Sequence, residues 1–183
     1  MFIQTEPTPN PATLKFLPGR PVLDSGTFEA KSAAEAESSP LAKALMEIAG
    51  VRGVFLAPDF ISVTKGEGEW RHLRPAVLGV VTEFLLSGAP ALSGVGGAAS
   101  DEFFDAADQE IVDTIKDLIE TRVRPAVAGD GGDITFKGYK EGVVYLQMQG
   151  ACSGCPSSTA TLQHGIQNLL KHFVPEVQEV RPV

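Results

Sequence analysis

The sequence predicts an α+β protein built as two small mixed domains. Three observations predict it. Short runs of alternating apolar residues read as half-buried strands, and longer runs with apolar residues every three or four positions read as amphipathic helices. Both kinds of run occur on each side of the midpoint. Between them, Ser87 to Ser100 reads SGAPALSGVGGAAS, uncharged and dominated by Gly, Ala, Ser and Pro, the composition of a flexible tether. At 183 residues, the chain is long for one small domain and comfortable for two. The predicted organisation is an N-terminal α+β domain over residues 1–87, a linker over 88–103 and a C-terminal domain over 104–183.

In the N-terminal half, Phe2 to Thr5 is a strand candidate, followed by a turn punctuated by Pro7, Pro9 and Pro11. Thr13 to Leu17 (TLKFL) is a second strand. Ser39 and Pro40 mark a helix start, the hydroxyl as N-cap and the proline at the first helical position. Leu41, Leu45 and Ile48 form its apolar stripe, and Gly50 ends it. Val54 to Ala57 and Ile61 to Lys65 are strands around the turn at Pro58-Asp59. A last helix spans about Trp70 to Leu86, with Leu73, Val77, Val81, Phe84 and Leu85 on one face. Pro75 suits only its first turn. No interior cysteine or acid cluster in this half signals chemistry.

The C-terminal half reads α-β-β-α-β, with helices packed on a short sheet. Its first helix runs from about Phe104 to Arg124, buries Ile111, Ile115, Leu118 and Ile119, and is stopped by Pro125. Gly129 to Asp133 (GDGGD) is a turn; an Asp130/Asp133 pair there is too little for a full calcium shell. Asp133 to Tyr139 alternates with Ile134 and Phe136 inward, Glu141-Gly142 is a hairpin turn, and Val143 to Met148 is the partner strand. Gly150 to Cys155 is a loop. Pro156 to Phe173 is a helix with Leu162, Ile166, Leu169, Leu170 and Phe173 on one face, and Val177 to Val180 is an edge strand.

Charge narrows the function classes. The net charge of -8 argues against a nucleic-acid binder, which needs basic clusters. Residues 1–92 carry 8 basic against 10 acidic residues, and residues 93–183 carry 7 against 13. The excess lies between Asp101 and Glu120 and reads as a solvated helix face. No apolar run approaches the roughly 20 residues that span a bilayer, so no membrane partner is expected. The N-terminus lacks a basic region and an apolar signal core, which reads as an unexported, soluble protein.

The two cysteines, Cys152 and Cys155, carry the chemistry. With only two residues between them, they cannot staple distant parts of the fold, and a C-x-x-C pair of this kind is metal-binding or redox-active. The spacing lets both sulfurs face one centre, and Gly154 permits the sharp turn. The following helix N-terminus, with its partial charge of roughly +0.5, favours thiolate. The pair is therefore expected as an exposed, lowered-pKa dithiol. A tetrahedral zinc or a cubane iron–sulfur cluster takes about four ligands, and one chain supplies two thiols. His72, His164 and His172 lack ligand spacing to the pair. The simplest completion is a second copy around a twofold axis. Two alternatives are a dithiol–disulfide oxidoreductase and a structural zinc-bridged dimer. Against the first, the spacer is Ser-Gly, no tryptophan precedes Cys152, and the early β-α-β order of that fold is missing.

Residues 125–180 resemble the NifU C-terminal domain of Nfu-type iron–sulfur proteins, through Pro125 to Asp133 (PAVAGDGGD), Gly150 to Ser158 (GACSGCPSS) and Phe173 to Val177 (FVPEV). Residues 1–87 resemble the Nfu N-terminal domain, through Met1 to Pro11, Leu14 to Phe16, Ser39 to Leu41, Gly53 to Phe55 and Pro58 to Thr64. The resemblance covers nearly the whole chain outside the linker. It implies an iron–sulfur cluster scaffold and carrier, not an enzyme, with Cys152 and Cys155 as ligands. It further implies a cluster, commonly [4Fe–4S] with [2Fe–2S] as the alternative, bridged between two subunits. The loaded form is then a homodimer that receives its cluster from an upstream assembly scaffold and passes it to apo iron–sulfur enzymes, the N-terminal domain helping to select clients. The implied location is the bacterial cytoplasm, or the mitochondrial matrix for a processed eukaryotic form.

Overall fold

The computed structural model describes residues 2–93, 102–153 and 156–183. The chain divides into two compact units, Met1–Gly97 and Ala98–Val183.

The first unit is a five-stranded antiparallel sheet in the order β1-β2-β5-β4-β3, built from β1 (Gln4–Pro7), β2 (Thr13–Leu17), β3 (Phe28–Ala30), β4 (Val51–Leu56) and β5 (Ile61–Lys65). Its helices are α1 (Ala33–Ala36), α2 (Pro40–Met46) and α3 (Trp70–Ser87). Alternation decides which side of each strand faces them: Phe16, Val54, Leu56, Ile61 and Val63 join Leu41 and Leu45 of α2 and Val77 and Val81 of α3 in one core. The predicted cap is present, Ser39 Oγ accepting from Ala42 N at 3.1 Å with Pro40 at the helix start. Pro75 lies inside α3 rather than in its first turn, on the solvent side, where the lost backbone bond is tolerated. The first strand begins at Gln4, two residues later than the sequence suggests, and leaves Phe2 exposed. The three-residue β3 and four-residue α1 are too short for periodicity to reveal.

The segment after α3 stays on this unit. Ala91 is buried in the core, its carbonyl accepts from Ser39 Oγ, and Ser93 N donates to Ser38 O at 2.8 Å. In the second unit, Phe103 N donates to Lys137 O and Phe103 O accepts from Tyr139 N, while its ring lies over Gly138, where a Cβ would collide with it. Both ends of the 88–103 stretch are thus held by the units beside them, and residues 94–101 lie outside the described residues.

The second unit has the predicted α-β-β-α-β order: α4 (Gln109–Leu118), continued by a π-turn (Ile119–Val123) and α5 (Arg124–Gly129), then β6 (Gly132–Lys140), β7 (Val143–Gly150), α6 (Pro156–Phe173) and β8 (Glu179–Pro182). The sheet runs β6-β7-β8, antiparallel then parallel. The hairpin turn is Glu141-Gly142, both with positive φ (51° and 79°), as a two-residue type I′ turn requires. Val112, Ile115, Ile134, Leu146, Ile166, Leu170 and Val180 form the centre of its core.

Two expectations are corrected. Pro125 does not stop the first helix. The π-turn just before it widens the backbone, so the proline takes an opening position of α5 and the helix continues to Gly129. Phe173 does not share the buried face of α6: it is 45% exposed at the helix end, with the Arg122 guanidinium 5.1 Å from its ring centre. The acidic excess is largely solvated, with Asp105, Glu110, Asp113, Asp117 and Glu120 all exposed.

Candidate functional site

The cysteine loop leaves the sheet where β7 ends. Gly150, at φ 68°, turns the chain out of the strand into a tight turn, Ala151–Ser153, and α6 starts at Pro156. Hydrogen bonds hold that turn. Ala151 N donates to Gly131 O at 3.3 Å, Ser153 Oγ donates to Gly150 O at 3.0 Å, and Thr159 Oγ1, one turn into α6, donates to Cys152 O at 2.8 Å.

Cys152 points inward. It is 6% exposed and belongs to the core of the unit. Its neighbour across the sheet end is Gly132, where an added Cβ would stand 2.9 Å from Cys152 Sγ and 2.6 Å from Gln149 O. Burial, and secondarily the carboxylates of Asp130 and Asp133, push the thiol up to about 11. The expectation of an exposed, lowered-pKa thiol is therefore overturned for Cys152. Desolvation by the packed core outweighs whatever the helix end contributes, because the ionised sulfur loses its water and faces two negative groups. Cys155 lies outside the described residues.

The GDGGD segment does more than turn. Asp133 is 5% exposed, and its carboxylate receives Arg124 Nε at 2.9 Å, Arg124 Nη2 at 3.0 Å and the backbone N–H of Ile134 at 2.8 Å. Arg124 Nη1 also reaches Glu120 Oε2 at 2.7 Å. These partners raise the Arg124 pKa further above its ordinary value, the Asp133 bonds first. Asp133 is thus committed to a guanidinium rather than open to a cation. Sequence reasoning missed Arg124. Its only trace is a basic residue just ahead of the proline, and the contact depends on the π-turn that lets α5 continue.

The three histidines, His72, His164 and His172, are all exposed, and His172 packs edge-on against Phe173 at 5.0 Å. Among the described residues, no three His, Cys, Asp or Glu side chains converge as a metal site.

Two family models match: one described as "Scaffold protein Nfu/NifU N terminal" over residues 3–88, and one described as "NifU-like domain" over residues 115–181. A Homo sapiens protein named "NFU1 iron-sulfur cluster scaffold homolog, mitochondrial" is 47% identical over 188 residues, covering all of this chain and 72% of that one. The chain belongs to the Nfu family. A Drosophila sechellia protein of the same name is 50% identical over 185 residues, and this Nfu chain spans 65% of its length. A solved NifU-like protein from Saccharomyces cerevisiae aligns with 24% identity and a TM-score of 0.44, over 51% of the Nfu chain and 85% of the yeast one. The second matched segment runs from Ile115 in α4 to Arg181 in β8, so it takes in Arg124, Asp133 and both cysteines of this Nfu chain.

Proposed function

We propose that this chain is an iron–sulfur cluster scaffold and carrier in which Cys152 and Cys155 hold a cluster, [4Fe–4S] ahead of [2Fe–2S], between two copies of the chain. The observation that carries the reading is a C-x-x-C pair at the strand-to-helix loop of a chain whose relatives bear the name iron–sulfur cluster scaffold. Two thiols per chain fill half of a four-thiolate cluster, and a twofold pair of chains fills it. The cluster is cargo. Each subunit holds an incomplete share, so separating the subunits weakens all ligation at once, and incoming cysteines of an apo-protein replace the thiolates one by one. No catalytic step is proposed. The relatives are named mitochondrial, which supports the matrix alternative for location.

Ligation needs the thiolate, so cluster uptake must draw a proton from Cys152. The test is anaerobic reconstitution with iron and sulfide. The chain should become a brown dimer with iron and sulfide in equal amounts. Cys152→Ala and Cys155→Ala should each abolish loading, and loading that survives either change defeats the proposal. Zinc without sulfide in oxygen-free preparations would favour the structural zinc dimer.

A further inference from the structure

The surroundings of Cys152 contain more than the scaffold role requires. Gly132 has no left-handed φ, so its glycine is not needed for the backbone. It is needed for space: a side chain there would press on Cys152 Sγ and Gln149 O. The next residue, Asp133, is buried and receives three directed hydrogen bonds, two of them from one guanidinium. A buried ion pair is a poor device for stability alone, since desolvation offsets much of its attraction. A bidentate Arg–carboxylate pair does, however, fix orientation. Here it fixes the first residues of β6, beside which the Cys152 side chain rests.

We propose that Arg124, Asp133 and Gly132 are positioning residues for Cys152. The bidentate pair pins the start of β6, so that the bare face of Gly132 holds the Cys152 side chain in the one orientation from which its sulfur takes up the cluster. The proposal rests on the scaffold reading for its purpose. Its geometric content, that these residues orient Cys152, is testable without a cluster. Lysine at position 124 keeps the charge and loses the fork. Asparagine at 133 keeps the shape and loses the ion pair.

The experiment uses the full chain, with three measurements: site-resolved alkylation of the apo protein by iodoacetamide, anaerobic cluster loading, and thermal melting. Arg124→Lys and Asp133→Asn should each raise the Cys152 alkylation rate about tenfold while changing Cys155 less than about twofold, and weaken cluster loading by about tenfold, as loss of an outer-shell partner does. A merely structural role would raise both cysteines together. For Gly132→Ala, the melting temperature should fall, and part of that fall should disappear in a Cys152→Ala background, because the added methyl then no longer meets the sulfur while its clash with Gln149 O remains. Equal labelling changes at both cysteines, or a Gly132→Ala loss that is the same with and without the Cys152 sulfur, would overturn the proposal. If the wild-type chain takes up no cluster, the scaffold reading falls instead, and the labelling and melting results still decide whether these residues orient Cys152.

Discussion

Among the described residues, each unit buries one charged side chain, Lys15 in the first and Asp133 in the second, by different means. Lys15 lies on β2, paired in register with Glu6 of β1. Its ammonium sits 4.6 Å from the centre of the Phe60 ring and 4.0 Å from a Glu6 carboxylate oxygen. Both of these contacts are longer than a hydrogen bond, and a cation over a ring face is held loosely in direction. Asp133 instead has a short side chain held by a planar fork and a backbone amide at 2.8–3.0 Å. Hydrogen bonds of that length fix direction as well as distance, which contacts of 4.0–4.6 Å do not. The molecule places its stricter arrangement one residue from the glycine against which Cys152 packs.

Removing one partner from each arrangement is the sharpest way to break this contrast. Arg124→Ala leaves a buried carboxylate without its fork and is expected to destabilise the second unit by about 3 kcal/mol. Urea unfolding followed by tyrosine signals reports on that unit, since both tyrosines, Tyr139 and Tyr145, lie in it. An Arg124→Ala loss no larger than that of the Lys15 variant below would erase the distinction between clamp and cushion.

The second prediction concerns alkaline pH. The Cys152 thiol is raised above its ordinary value of 9.0 to about 11 in the folded chain. Below pH 9 it is protonated in both states and its contribution is fully present. Between pH 9 and 11 the unfolded chain ionises while the folded one does not, so stability falls across that window. Cys152→Ala should flatten this part of the stability–pH curve. A curve of the same slope with and without the thiol would show that Cys152 is solvated in solution.

The smallest effect is expected for Lys15→Met. It keeps the volume of the stem and leaves Glu6 facing solvent, so the first unit should lose less than about 1 kcal/mol. The fluorescence of Trp70, the single tryptophan, reports this unit. A loss of several kcal/mol would mean that the Lys15 charge, like that of Asp133, is held in a defined geometry.

Much of the architecture was legible wherever local signals and tertiary packing agreed. The Ser39-Pro40 start of α2, the stripe of α3, the alternation of β6 and the Glu141-Gly142 turn are all local chemistry, and all are present. Short elements such as β3 and α1 were not legible, because three or four residues do not show a period. Pro125 misled for a related reason. Proline usually ends a helix, but one wider turn ahead of it removes the clash, and nothing in the adjoining residues signals that turn. Phe173 completes an apolar stripe on a helical wheel, yet it sits at the helix end, beyond the sheet that covers the rest of the stripe.

At the candidate site the division is the same. The chain's sequence alone determined that there are two thiols with two residues between them, which is half of what a four-thiolate site would take. Only the tertiary structure decided which way Cys152 faces. That direction depends on Gly132 and Asp133, about twenty residues earlier, and on Arg124 beyond a π-turn, brought to one place by sheet pairing and helix packing. Desolvation is a sum over such distant neighbours, so a local reading of the motif gave the wrong sign for the Cys152 pKa shift, and the fold set the right one.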